Sequence, residues 1–270
     1  MKHIFIIIIS LFSFPVCFAQ TLILSKPDTT NFIFTVRTPS IKALDSYPQQ
    51  ITEISKLGDN YKVHLTTFNP YADSIRQGKI SNSVYDDDRI YVHETAKYLQ
   101  STPLIDSENE DIRQIADTLL AYETDICSLI TKALSFTFGY LSPDNSLARE
   151  IDAGTCRTLD VRSILTARKG TCSEYTNLFI ALMRYKKIPT RFCVGYIYCP
   201  EYNQTGTHAW PECFIDGVGW CAVDPTLNSF WFPHFMAIKM RHGLDFEDCD
   251  IRTLALDIEP VEIEKITSTN

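Results

Sequence analysis

The stretch Arg168–Tyr175, reading RKGTCSEY, constrains this chain more than any other because it sets a glycine turn directly before a cysteine that opens a helical pattern. Beyond Cys172, the apolar residues Tyr175, Leu178, Phe179 and Leu182 follow at i, i+3, i+4 and i+7, the spacing of a helix with one buried face. The pattern closes at Lys186-Lys187 before Pro189, with cations at the negative end of the helix. Cys172 is therefore expected in the first turn of a helix that packs on the rest of the fold.

After this helix the pattern changes to strands: Arg191 to Tyr198, His208 to Ile215, and Trp220 to Val223, the last two joined by Asp216-Gly217-Val218-Gly219. His208 near the start of one strand and Asp224 just past the next fall at the same end of that hairpin. A ladder pairing Ile215 with Trp220 would put them on opposite faces, so their cooperation requires a one-residue shift, from a bulge or an odd loop. Pro211, which cannot donate to a ladder, is the expected irregularity. The order Cys172, His208, Asp224 supplies a nucleophile, a base and an orienting carboxylate. A thiol attacks a carbonyl as thiolate, and a helix N-terminus with a neighbouring imidazole stabilises that anion. The backbone N–H of Cys172 is then an oxyanion donor.

The remainder of the chain frames this centre. Residues 1–19 combine Lys2, an apolar run from Ile4 and the end Cys17-Phe18-Ala19, as in a cleaved secretory signal; Cys17 leaves a lipid-anchored form as the alternative. A secreted or periplasmic protein with no integral span after cleavage is expected. Residues 20–102 alternate as strands (Phe32, Phe34, Val36; Tyr61, Val63, Leu65), giving a small N-terminal β region. Residues 103–270 form the catalytic unit, opened by two helical patterns. Ser107-x-x-Glu110 is expected to cap the first, Thr124 or Asp125 the second, and Asp160 a short helix before the cysteine motif. A net charge of −8 argues against nucleic acid as a partner. Nine cysteines without a CxxC pair argue against structural zinc, no disulfide pairing follows from their spacing, and no cofactor is implied.

Gly170-Thr171-Cys172, Lys187-Ile188-Pro189-Thr190-Arg191, Gly195-Tyr196, His208-Ala209-Trp210-Pro211-Glu212 and Gly219 through Thr226 occur in the order in which the transglutaminase-like superfamily carries its motifs. The block from Ser163 to Thr226 resembles that family, in its bacterial exported branch. The resemblance implies an α+β, papain-like core, with the cysteine helix packed on an antiparallel sheet and a Cys172-His208-Asp224 triad. It implies hydrolysis of peptide or amide bonds in a peptide or protein substrate through a thioester. Transamidation by an amine, or a non-catalytic binding module, are the alternatives. All three tryptophans lie downstream of Cys172, and Thr166 stands where papain-like enzymes carry a glutamine, so the second oxyanion donor stays open. Lys187 replaces the family's usual glycine.

Overall fold

The computed structural model describes residues 29–37, 41–69, 84–152, 158–199, 204–230, 237–249 and 265–269. The leader and Cys17 lie outside the described residues. Alternation in the N-terminal region produces β1 (Thr29–Val36), β2 (Gln49–Leu57) and β3 (Asn60–Phe68), with β2 and β3 joined through Gly58 at φ 62°. A strand from the far end of the chain, β10 (Lys265–Thr269), pairs antiparallel with β1, and the sheet order is β10-β1-β3-β2. Phe32 opposes Leu65 and Phe34 opposes Val63 on one buried face.

Helix α1 (Glu110–Leu119) buries Ile112 and Ala116 as its periodicity requires, but its start differs from expectation. The N-cap is Asn109, whose side chain accepts the Asp111 N–H, while Ser107 is buried upstream and donates its own N–H to Ser101 Oγ. Asn fits the capping position as well as Ser does, and the chain enters the helix two residues later. Helix α2 (Ile126–Tyr140) is capped by Asp125, and Asp160 caps helix α4 (Val161–Ala167), with β4 (Ser142–Pro143) and α3 (Asn145–Asp152) between them. The pair β4 and β5 (Lys169–Gly170) is parallel, fixing the backbone just ahead of the nucleophile segment.

Helix α5 (Cys172–Tyr185) lies at the centre, between α1 and α2 on one side and two strands, β6 (Thr190–Cys199) and β7 (Gln204–Ile215), on the other. Its single-faced expectation is corrected: every residue from Ser173 to Arg184 is buried. Most of its polar positions find partners inside. Arg184, for example, donates to the carbonyls of Thr190, Gln100 and Leu244. Two bonds end the helix, Lys187 N–H to Arg184 O and Ile188 N–H to Met183 O, with Lys187 at φ 57°. This closure places an ordinary side chain in the left-handed conformation that glycine occupies at lowest cost.

The second sheet runs β8-β7-β6-β9, adding β8 (Gly219–Ala222) and β9 (Ala237–Gly243). Phe192, Ala209 and Cys213 face α5. The other face carries a buried ionic cluster in which Glu212 takes Arg191 Nε at 2.6 Å and Lys239 Nζ at 2.9 Å. Arg191 and Lys239 both donate to the Tyr47 carbonyl, and Gln49 bridges to Lys239 through both backbone groups. Ile238 and Met240 pack against the Phe32–Leu65 face, so the β region and the second sheet share this layer.

Two stability measurements follow from these packings. Replacing Lys187 by Gly should raise unfolding free energy in urea by roughly 0.5–1 kcal/mol, since it removes left-handed strain at an exposed position. Glu212→Ala should cost roughly 3–5 kcal/mol in the same assay, because it strands two buried cations. Burial pushes the Glu212 carboxyl up, but Arg191 and Lys239 outweigh it and hold the group at about 2. The stability it supplies is therefore present above the ordinary Glu range and is lost only as the pH falls toward 2.

Candidate active site

Cys172 is the first residue of α5, half-buried, with Thr171 as N-cap. Thr171 accepts the Ser173 N–H, and Glu174 closes a capping box on the Thr171 N–H. The first helical bond is Tyr175 N–H to Thr171 O, so the Cys172 N–H, at the helix start, is not used by the helix itself. Gly170 is required here: a Cβ on it would stand 2.3 Å from Glu174 Cβ.

The register that brings the partners together is set by the hairpin loop. Ile215 pairs with Gly219, not Trp220, leaving a three-residue loop with Gly217 at φ 72° and Gly219 at φ 102°. Glu212 opposes Ala222, so even-numbered residues of the two strands share a face, and His208 and Asp224 stand on the same side. Pro211 is not the site of a bulge. Its carbonyl accepts the Val223 N–H, but it has no N–H to return, and the ladder stops at Ala222. Released there, the chain turns, and Asp224 forms a bridge with Ser229 in both directions.

The structure places the three sequence-selected residues side by side. His208 Nε2 lies 2.8 Å from Asp224 Oδ2, and the Cys172 side chain is in hydrogen-bonding contact with the imidazole. With Nε2 engaged, Nδ1 is the nitrogen left for the thiol. Asp224 is fully buried, and its other oxygen takes both the N–H and the hydroxyl of Thr226. One oxygen is thus held by Thr226 while the other faces His208. The role of Thr226 was not singled out from the sequence, although its place two residues after an aspartate is the spacing of an Asx-type turn.

Electrostatics follow from this geometry. Burial lowers the His208 pKa, but Asp224 and Cys172 outweigh it, by charge and by hydrogen bond, and raise it to about 10. The imidazolium is favoured at neutral pH. His208 and Trp210 rings lie nearly parallel, 6.2 Å apart between centroids. Gly195 opposes His208 across the ladder, and a Cβ there would meet Ile238 O at 2.1 Å and the Trp210 ring at 2.8 Å. Thr176 Oγ1 donates to Ala209 O, tying the helix of Cys172 to the strand of His208. Among the described residues, no group of three or more His, Cys, Asp or Glu is disposed to hold a metal, and no helix is long and apolar enough to cross a membrane.

Residues 140–225, which run from the end of α2 through the cysteine helix to Asp224 and Pro225, match the family model of the transglutaminase-like superfamily. This segment is similar to the core of that superfamily. A candidate cysteine protease from Cytophaga hutchinsonii has the same fold at 17% identity and a TM-score of 0.56, over 90% of this chain and 86% of its own. The periplasmic domain of TgpA from Pseudomonas aeruginosa, solved with ethylmercury bound, is 18% identical at a TM-score of 0.44, over 68% of this chain and 66% of that one. No curated protein matches the sequence. The α+β, transglutaminase-like fold expected from the motifs is the fold observed.

Within this core, the charge on Asp224 decides the state of His208. In Asp224→Asn the buried imidazole loses its countercharge while the burial remains. Its pKa, followed by NMR titration, should fall from about 10 to below the ordinary 6.5. In the parent, the stability linked to His208 is fully present below pH 6.5 and is lost as the pH rises through about 10.

Proposed function

We propose that this protein is an exported, cysteine-dependent acyl-transfer enzyme that hydrolyses peptide or amide bonds, with Cys172 as nucleophile, His208 as acid and base, and Asp224 as orienting carboxylate. The observation that carries this reading is His208 held between the Cys172 thiol and the buried Asp224 carboxylate. In the acylation step the Cys172 sulfur bonds to the substrate carbonyl carbon. The oxyanion is met by the Cys172 backbone N–H, and His208 Nδ1–H protonates the nitrogen as the C–N bond breaks. Water, deprotonated by the now neutral His208, then attacks the thioester and releases the acid and the thiol.

Half-burial of Cys172 leaves the thioester within reach of water, the acceptor that hydrolysis requires. In this reading residues 20–102 are an accessory β region and 103–270 the catalytic unit, with 265–269 returning to pair with β1. Residues 1–19 serve export.

The test is direct. Denatured casein incubated with the protein, with and without a primary amine such as methylamine, is analysed by mass spectrometry. New peptide termini carrying one added water, unaffected by amine and absent in Cys172→Ala, are expected. Amine adducts at glutamine without chain cleavage would assign transamidation instead, and cleavage undiminished in Cys172→Ala would remove the thiol mechanism.

A further inference from the structure

Glu174 is fully buried two residues after the nucleophile, and four donors converge on it. Thr171 N–H and Thr171 Oγ1 reach Oε2 at 2.7 and 2.6 Å, while Leu159 N–H and Thr158 Oγ1 reach Oε1 at 2.9 and 2.6 Å. A glutamate at this position of a capping box ordinarily faces solvent and satisfies one N–H at the helix start. Here it also takes a backbone N–H from a separate segment, residues 158 and 159, on its second oxygen. Asn177 holds that segment from one helical turn further on, donating to Leu159 O at 3.0 Å.

The charge of this group is unfavourable to a thiolate two residues away, since it opposes the helix field that stabilises the anion. Its chemistry explains why an acid stands there. Both oxygens face a backbone N–H, so each must accept. A glutamine has one acceptor oxygen and would turn an NH₂ toward one of the two donors. An aspartate is one carbon shorter. A carboxylate of glutamate length is the group that can hold Thr171 and Leu159 together, and Gly170 supplies the space its stem occupies.

We infer that Glu174 is a positioning residue for acyl transfer: it locks the 158–159 segment to the Thr171 cap and so fixes the direction of the Cys172 backbone N–H toward the developing oxyanion. This rests on the acyl-transfer reading above and deepens it. The distinction it makes is between two properties of the same cysteine. Alkylation by iodoacetamide needs a thiolate and no oxyanion donor, whereas acylation by p-nitrophenyl acetate passes through a tetrahedral oxyanion and is accelerated by the donor. In the latter, the S–C bond forms, the C–O bond breaks and p-nitrophenolate leaves with the electron pair, giving a burst of colour equal to one acyl-enzyme.

The experiment compares both rates in the parent, Glu174→Gln and Thr158→Val. In Glu174→Gln the alkylation rate should hold at the parent's level or rise, with a pH profile that stays or moves to lower pH, because removing a nearby negative charge does not harm a thiolate. The acylation burst should slow by roughly tenfold to a hundredfold, the scale of a misplaced catalytic group. Thr158→Val, which removes one donor of four, should show the same selective loss at smaller size and carries the comparison alone if Glu174→Gln does not fold. Alkylation and acylation falling in proportion, or a burst unchanged in these variants, would overturn the positioning role. A parent without a burst, or a burst equal in Cys172→Ala, marks failure of the acyl-enzyme reading itself and removes this inference with it.

Discussion

Enclosure of helix α5 on every side is the constraint from which the rest of the structure follows. A helix that buries Thr176, Asn177, Glu174 and Arg184 along with its apolar residues must supply partners for each, because an unpaired buried polar group costs on the order of 1–3 kcal/mol. The neighbours are arranged accordingly. Thr158 and Leu159 answer Glu174, Ala209 answers Thr176, and the carbonyls of Thr190, Gln100 and Leu244 answer Arg184. These bonds point in different directions from one rigid element. They fix the loop before α4, the strand bearing His208 and the chain beyond β9 relative to Cys172.

The sheet that carries His208 is constrained from its other face by charge. Glu212 follows His208 on β7 by four residues and holds Arg191 of β6 and Lys239 of β9, which together grip the Tyr47 carbonyl. Between this cluster and the base stands Trp210, parallel to the His208 ring and given room by Gly195. The strand carrying the base is thus packed on both faces, by α5 on one side and by ions and an aromatic ring on the other. Such a strand has little freedom to slip, which suits a site whose hydrogen bonds must be kept to within a few tenths of an ångström.

Much of this was legible where local chemistry decides the outcome. Asp125 and Asp160 cap their helices because an aspartate before an apolar period has few other uses, and Phe32, Phe34, Val63 and Leu65 alternate because one side of a sheet is buried. Where two local solutions were equally good, the sequence misled. Ser107 and Asn109 both suit a cap, and packing of Ser107 against Ser101 chose the second. The helix α5 read as amphipathic because its polar residues have partners far away in the chain. Pairing of residues 265–269 with β1 joins the two ends of the described chain, a separation over which no period or turn signal reaches.

The sequence by itself determined the identity and order of the groups proposed to react, Cys172 at a helix start and then His208 and Asp224 about one hairpin, since these depend on residue type and spacing alone. Only the tertiary structure decided whether they could meet. A one-residue difference in loop length turns a whole strand over, and it is the three-residue loop at Asp216–Val218, with Gly217 inside it and Gly219 just after it at positive φ, that sets His208 and Asp224 on one side. The same holds for Glu174: the second backbone N–H on its carboxylate comes from a segment that folding alone brings near.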